Sequence, residues 1–342
     1  MREGGHASLL RLGANESTFG PSPKAVEAMA SELPRISWYG DPESYDLRCA
    51  LAARHQCAID NICVGAGIDD LMGLAVRAFM SPGDVALTTR GTYPTFSFHV
   101  TGFGGILETV PYRQDGLLDV DALIRRANEL RPAIVYVANP DNPSGTLLPG
   151  SELVRLFEAL PQESLLFLDE AYDDFVEQSD AFPALLHPRL LRVRTFSKAY
   201  GMAGARIGYV IATPRNVTTF QKIRLHYGVN RNAQIGALAA LGDTAFHRYV
   251  VQEVAKGRQD YYDLAASLGR GYLRSWTNFV CIDFESNERA TAVMNQLLAR
   301  GVFVRKPGAP PLDRYVRISV GTPAERAEFA VRLRALLAGT AA

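Results

Sequence analysis

A chain of 342 residues, 47% hydrophobic and 21% charged, has the balance of a globular protein and the length for more than one core. Lys+Arg and Asp+Glu are equal at 36 each, so a formal net charge of +0 sets up no overall field toward nucleic acid or an anionic membrane. No apolar run approaches the roughly 18 residues of a membrane span, and Met1 to Gly13 lacks the basic start and apolar stretch of a signal peptide, so the expected location is cytoplasmic.

The opening segment is punctuated by Gly20-Pro21-Ser22-Pro23, and a helix is expected from Pro23 to Leu33, with Ser22 as N-cap and Pro23 in the first turn. Residues 1–35 read as an arm that packs on a smaller domain or on a partner subunit. Three of the four cysteines (Cys49, Cys57, Cys63) crowd into one early segment, and Cys281 lies far downstream. None forms a C-x-x-C pair, so buried free thiols in a reducing compartment are expected rather than a disulfide or a metal site.

From about residue 60 to 240, short apolar runs alternate with amphipathic ones. Strands are expected at 84–89, 106–110, 133–138, 164–169, 191–196 and 206–212, each rich in Val, Ile or Leu as strands covered on both faces are. Ile68–Phe79 repeats its apolar residues at helical spacing, with Asp69 and Asp70 in the first turn, where the helix dipole favours acids. This alternation predicts an α/β domain over 36–240, three layers deep with a mostly parallel sheet. After 240 the rhythm changes to a long helix (245–268), a strand (279–284), a helix (288–300), a strand (315–319) and a terminal helix (323–337). Residues 241–342 therefore read as a smaller α+β domain.

Four segments carry chemistry. They are Asn139-Pro140-Asp141-Asn142-Pro143-Ser144-Gly145, Asp169-Glu170-Ala171-Tyr172, Thr195-Phe196-Ser197-Lys198 and Gly204-Ala205-Arg206-Ile207-Gly208. All lie at or near expected strand ends, where open α/β sheets bind ligands. Each alone has a plain structural reading: a turn formula, a helix start, a solvated lysine. Together they supply an asparagine, a strand-end aspartate, a tyrosine, a lysine and, eight residues on, an arginine. The only lysines in the chain are Lys24, Lys198, Lys222, Lys256 and Lys306, so chemistry that needs a primary amine has few candidates.

With these motifs the sequence resembles the fold-type I pyridoxal-5′-phosphate (PLP) enzymes, class I/II aminotransferases, and among them the histidinol-phosphate aminotransferase family. The likeness runs from Asn15-Glu16 to Val316–Thr322 and is most specific over Arg194–Tyr209. It implies that Lys198 holds the cofactor covalently and that Asp169 faces the pyridine nitrogen. It implies that Asn142 and Tyr172 contact the ring's 3′-oxygen and that Tyr93 stacks on the ring. Gly67, Ile68 and Asp69, together with Thr195, Ser197 and Arg206, would hold the phosphate. Tyr39 would reach the phosphate of a neighbouring subunit, which makes a homodimer the expected assembly. Arg317 and Arg305 would grip the substrate's acidic groups, with Phe19 and Asn142 beside them.

The implied reaction is a ping-pong transfer of an amino group from histidinol phosphate or an amino acid to a 2-oxo acid such as 2-oxoglutarate. The chain departs from the family at Ser17-Thr18, where Asn-Pro is usual, and its Phe19 lacks the tyrosine hydroxyl that could touch a substrate phosphate. It departs again at His226–Asn230 and at Tyr39-Gly40-Asp41-Pro42. These changes border the substrate pocket. A decarboxylase of a phosphorylated amino acid such as threonine phosphate, or a racemase, would share the cofactor motifs. A regulator that binds the cofactor without turnover would need a DNA-binding domain ahead of Asn15, and a nucleotide-binding protein would need a glycine fingerprint that Gly65-Ala66-Gly67 lacks.

Overall fold

The computed structural model describes residues 9–177 and 180–339. A short strand β1 (Leu10–Arg11) leads through an extended segment to α1 (Pro23–Glu32), which Ser22 caps by accepting from the Ala25 amide at 3.4 Å. Helix α2 (Tyr45–His55) and strand β2 (Ile62–Gly65) follow, then α3 (Ile68–Phe79), β3 (Val85–Thr89), α4 (Pro94–Gly102) and β4 (Ile106–Val110). The alternation continues with α5 (Val120–Leu130), β5 (Ile134–Ala138), α6 (Gly150–Ala159), β6 (Leu165–Asp169), β7 (Leu190–Thr195) and β8 (Gly208–Ile211). Helices α7 (Pro214–Ile223), α8 (Arg231–Gly242) and the long α9 (Thr244–Ser267) lead to β9 (Tyr272–Leu273), β10 (Phe279–Asp283), α10 (Asn287–Ala299), β11 (Val302–Phe303), β12 (Tyr315–Ser319) and α11 (Pro323–Gly339).

Seven strands form one sheet in the order β2-β8-β7-β6-β5-β3-β4. The pairings among β3, β4, β5, β6 and β7 are all parallel, as expected, whereas β8 runs antiparallel to both β7 and β2. The reversal at β8 has a local cause. The connection between β7 and β8 holds one short 3-10 turn, Ala203–Ala205, and no crossover helix, so the chain turns back beside β7, and Arg206 follows that turn at φ 55°. All five residues of β5 and all five of β6 are buried, because helices cover both faces of the sheet.

A second, antiparallel sheet has the order β12-β10-β9, and β1 pairs in parallel with β11, setting Leu10 against Val302. The arm is thereby stitched to the C-terminal third of the chain. One apolar core joins Leu87, Val135 and Leu168 of the large sheet to Val280, Ile318 and Phe329 of the C-terminal region. All four cysteines are free, as expected, but only Cys63 and Cys281 are buried; Cys57 is half-buried and Cys49 exposed. The expectation that all were buried is corrected by the geometry of α2, whose buried face is Leu47, Leu51 and Ala52, so Cys49 points outward. Among the described residues, no helix is long and apolar enough to cross a membrane, and no group of three or more His, Cys, Asp or Glu could hold a metal.

Candidate active site

Strands β5, β6 and β7 are parallel neighbours, so their carboxyl ends lie side by side. Ala138 pairs with Asp169, and Asp169 with Val193 just before Thr195. The loops that leave these ends border a cleft. Asp169, Tyr172, Asn142 and Lys198 line it, with Tyr93 on one side.

Asp169 ends a fully buried strand and is itself 5% exposed. Its carboxylate accepts from the Tyr136 hydroxyl at 2.8 Å and from the Ala171 amide at 3.0 Å. Burial pushes its pKa up to about 6 against the pull of these two donors. Lys198 lies across the cleft, its Nζ 5.5 Å from the centre of the Tyr172 ring. Burial first, then the Arg317 guanidinium, bring this amine down to about 8, against the opposing influence of Asp169 and Asp69. Near neutrality the site therefore holds a carboxylate and an amine that lies within reach of losing its proton. Burial raises the Tyr172 hydroxyl well out of that range, so it stays a neutral donor.

At one end of the cleft, Gly67 (φ 90°) is the N-cap of α3, and the first amides of a helix have no acceptor within it. Thr195 and Ser197 hydroxyls lie 2.9 Å apart beside it. Arg206 reaches the same place: a Cβ built on Gly67 would lie 2.7 Å from its Nη2. Asp69 accepts from Arg206 Nη2 at 3.3 Å and from the Tyr93 hydroxyl at 2.9 Å, which fixes the Tyr93 ring at the cleft wall. Helix-end amides, two hydroxyls and a guanidinium make this end an anion cradle.

At the other end, Arg317 of β12 donates from Nη1 to Asn142 Oδ1 at 2.6 Å and from Nη2 to the Gly13 carbonyl at 3.2 Å. Its Nε is buried with no partner, and burial lowers its pKa. Arg305 sits opposite it across an antiparallel bridge, exposed, with its guanidinium 5.7 Å from the Phe303 ring. Phe19 is half-buried and meets Tyr249 edge-on at 6.0 Å. Of the candidate residues, Gly67, Phe19, Tyr39, Arg305 and Arg317 do not line the cleft, although Gly67 packs against its lining residue Arg206 and Arg317 bonds to its lining residue Asn142. Tyr39 is 76% exposed and stacks on Tyr227 with ring centres 4.3 Å apart.

Several residues that shape the site were given no role by the sequence, although Asp141, Glu170 and Asn15 lie in the segments singled out there. Tyr136 reads as an ordinary strand position, yet its hydroxyl is spent on Asp169. Glu170, with its side chain 1% exposed, clamps Arg192 at 2.8 Å and Arg194 at 3.0 Å and so ties the end of β6 to β7. Asp141 is buried and takes bonds from Tyr112, Thr92 and Ser144, which sets the shape of the Asn139–Gly145 loop. Asn15, from the arm, touches both Tyr172 and Lys198.

The family model for aminotransferases of class I and II matches residues 7–333. The protein named histidinol-phosphate aminotransferase 2 of Carboxydothermus hydrogenoformans is 33% identical over 341 residues, 98% of this chain and 93% of that protein. The histidinol-phosphate aminotransferase of Bacillus licheniformis is 34% identical over 333 residues, 96% of this chain and 91% of its own length. The crystal structure of histidinol-phosphate aminotransferase from Sinorhizobium meliloti in complex with pyridoxal-5′-phosphate superposes with a TM-score of 0.94. It is 40% identical and covers 98% of this chain and 93% of that one.

Proposed function

From its membership of the class I and II aminotransferases, a PLP-dependent family, we propose that this chain transfers the amino group of histidinol phosphate, or of a closely related amine, to a 2-oxo acid such as 2-oxoglutarate. The observation that carries the reading is a cleft that joins an anion cradle, a buried carboxylate and a poised lysine, with the buried Arg317 bonded to its lining residue Asn142. The residues fit the cofactor. The cradle at Gly67, Ile68, Asp69, Thr195, Ser197 and Arg206 suits its phosphate, and Gly67 has no side chain to push Arg206 away. When bound, PLP supplies an aldehyde that captures amines and a ring that accommodates an electron pair.

In this reading Lys198 holds the cofactor covalently, and its amine, once displaced by the substrate, takes the α-proton. A pKa near 8 leaves a neutral fraction of that amine available. Asp169 keeps the ring nitrogen protonated. Its carboxylate remains charged above about pH 6, and a cation beside it would pull its pKa lower. Asn142 gives its oxygen to Arg317, so its amide nitrogen is left to donate to the ring's 3′-oxygen, with Tyr172 as the second donor. Tyr93 covers the ring face. Arg317 and Arg305, opposed across their bridge, provide two guanidiniums for the substrate's acid groups, an arrangement suited to a phosphate dianion. Phe19 and Asn142 border that end.

We also propose a homodimer in which Tyr39 serves the neighbouring subunit's site. Ile36, Trp38, Tyr39 and Leu225 are each 64% to 76% exposed, large apolar side chains that a second copy of the chain would cover. The proposed division is an arm over 1–35, a cofactor-binding domain over 36–240 and a small domain over 241–342, in a cytoplasmic protein.

The test is a substrate screen on the PLP-loaded protein, following loss of the visible cofactor absorbance and formation of glutamate from 2-oxoglutarate. Histidinol phosphate should respond at lower concentration than free amino acids. A response confined to amino acids would move the substrate elsewhere in the family, and release of carbon dioxide without an oxo product would overturn amino transfer itself.

A further inference from the structure

Asn15 is 3% exposed and sits at φ 53°, a left-handed conformation that asparagine tolerates better than most residues. It is held there from the C-terminal side of the molecule. Its amide donates to Ser319 Oγ at 2.9 Å, and its side-chain oxygen lies 3.3 Å from the same hydroxyl. From that anchored position it makes two contacts into the cleft. Its main-chain oxygen accepts from Lys198 Nζ at 3.1 Å and from Asn278 Nδ2 at 3.1 Å. Its side-chain Nδ2 donates to the Tyr172 hydroxyl at 3.0 Å.

We infer that Asn15 is a positioning residue for amino transfer, its carbonyl receiving the free Lys198 amine and its side-chain amide fixing the direction in which Tyr172 donates. The inference rests on the assignment of Lys198 as the cofactor-bearing amine. A main-chain carbonyl accepts from a charged or a neutral amine alike, so it steers Nζ without holding it protonated, as a carboxylate would. Tyr172 has one proton. Because Nδ2 can only donate, the phenol oxygen must accept from Asn15, and its own proton is free for an acceptor in the cleft. Two residues upstream, Gly13 takes a bond from Arg317. The segment 13–15 thus links the arginine proposed to grip substrate to the lysine proposed to move its proton.

The experiment compares wild type, Asn15→Gly, Asn15→Asp, Tyr172→Phe and the Asn15→Gly/Tyr172→Phe double variant, all loaded with PLP. Glycine keeps the left-handed backbone and the carbonyl but removes the amide. Aspartate tolerates the backbone but turns the donor into an acceptor, which forces Tyr172 to donate toward it. Borohydride trapping first scores attachment at Lys198. Failure there defeats the lysine assignment, whereas normal trapping with unchanged kinetics in the Asn15 variants defeats only the role of Asn15. The expected result is normal trapping and a fall in kcat of about two- to tenfold for Asn15→Gly, the scale of one lost neutral hydrogen bond, with KM nearly constant.

Adding Asn15→Gly to Tyr172→Phe should cost less than about twofold more, because the two groups act through one contact. Asn15→Asp should raise the pH midpoint of the lysine-bound cofactor's visible absorbance by about one pH unit, since the new charge favours the protonated form. Independent, multiplicative effects of the two single substitutions, or a midpoint in Asn15→Asp equal to wild type, would overturn the inference.

Discussion

Replacing Asp169 by asparagine should stabilise the protein without cofactor while disabling it with cofactor. The carboxyl group is buried and its pKa stands at about 6 in the folded chain against 3.8 in its ordinary state. Its contribution to stability is therefore fully present below pH 3.8 and is lost as pH rises through 6, since the unfolded chain gives up the proton first. Above pH 6 the folded state carries a penalty that reaches about 3 kcal/mol at most, from roughly two pH units at 1.36 kcal/mol each. Asparagine removes that charge. Its oxygen can accept from the Ala171 amide and its nitrogen can donate to the Tyr136 oxygen, but the Tyr136 proton then loses its acceptor, a cost of about 1 kcal/mol. The net gain for Asp169→Asn without PLP is about 1–2 kcal/mol at pH 7.5, shrinking to nothing or below near pH 4. Urea titrations of both proteins at several pH values measure it. With PLP the order should invert: the wild type gains stability on loading, and the variant gains less and loses most of its amino transfer. A variant less stable than wild type at pH 7.5 without cofactor, or one whose difference is independent of pH, would refute the reasoning.

Tyr136→Phe removes the strongest donor to Asp169, so the acid limb of the pH profile of kcat/KM should move to higher pH; an unmoved limb would show that the phenol does not tune the carboxylate. Arg317→Lys should raise KM for the 2-oxo acid about 10- to 100-fold, because an ammonium cannot copy a guanidinium fork, and an unaltered KM would remove this arginine from substrate binding. Glu170→Ala leaves the buried Arg192 guanidinium without its carboxylate, while Arg194 keeps Asp173, and should cost about 3–5 kcal/mol in urea unfolding, with Glu170→Gln milder. A loss below about 1 kcal/mol would mean that the clamp between β6 and β7 is not structural.

Features carried by local pattern were legible in the chain. The runs 133–138 and 164–169 read as strands because covered strands are continuously apolar, each one residue longer than the observed Ile134–Ala138 and Leu165–Asp169, and Ile68–Phe79 read as a helix to the residue because its apolar spacing is helical. What local pattern does not encode stayed hidden. The four-residue strand Ile62–Gly65 is too short to stand out and forms only by pairing with Gly208–Ile211, nearly 150 residues away. The phenol of Tyr136 meets Asp169 only because β5 and β6 lie side by side in one register. Asn15 belongs to a proline-punctuated arm whose contacts with Ser319, Tyr172 and Lys198 are all tertiary. The role proposed for exposed Tyr39 rests only on likeness to relatives, since within one chain it meets Tyr227 and not the cleft.

The most direct measurement is to reduce the PLP-loaded protein with borohydride, digest it and locate the modified lysine by mass spectrometry. The account predicts one phosphopyridoxyl group, on Lys198, absent when Lys198→Ala is treated in the same way. A label on Lys24, Lys222, Lys256 or Lys306 with Lys198 unmodified would contradict it.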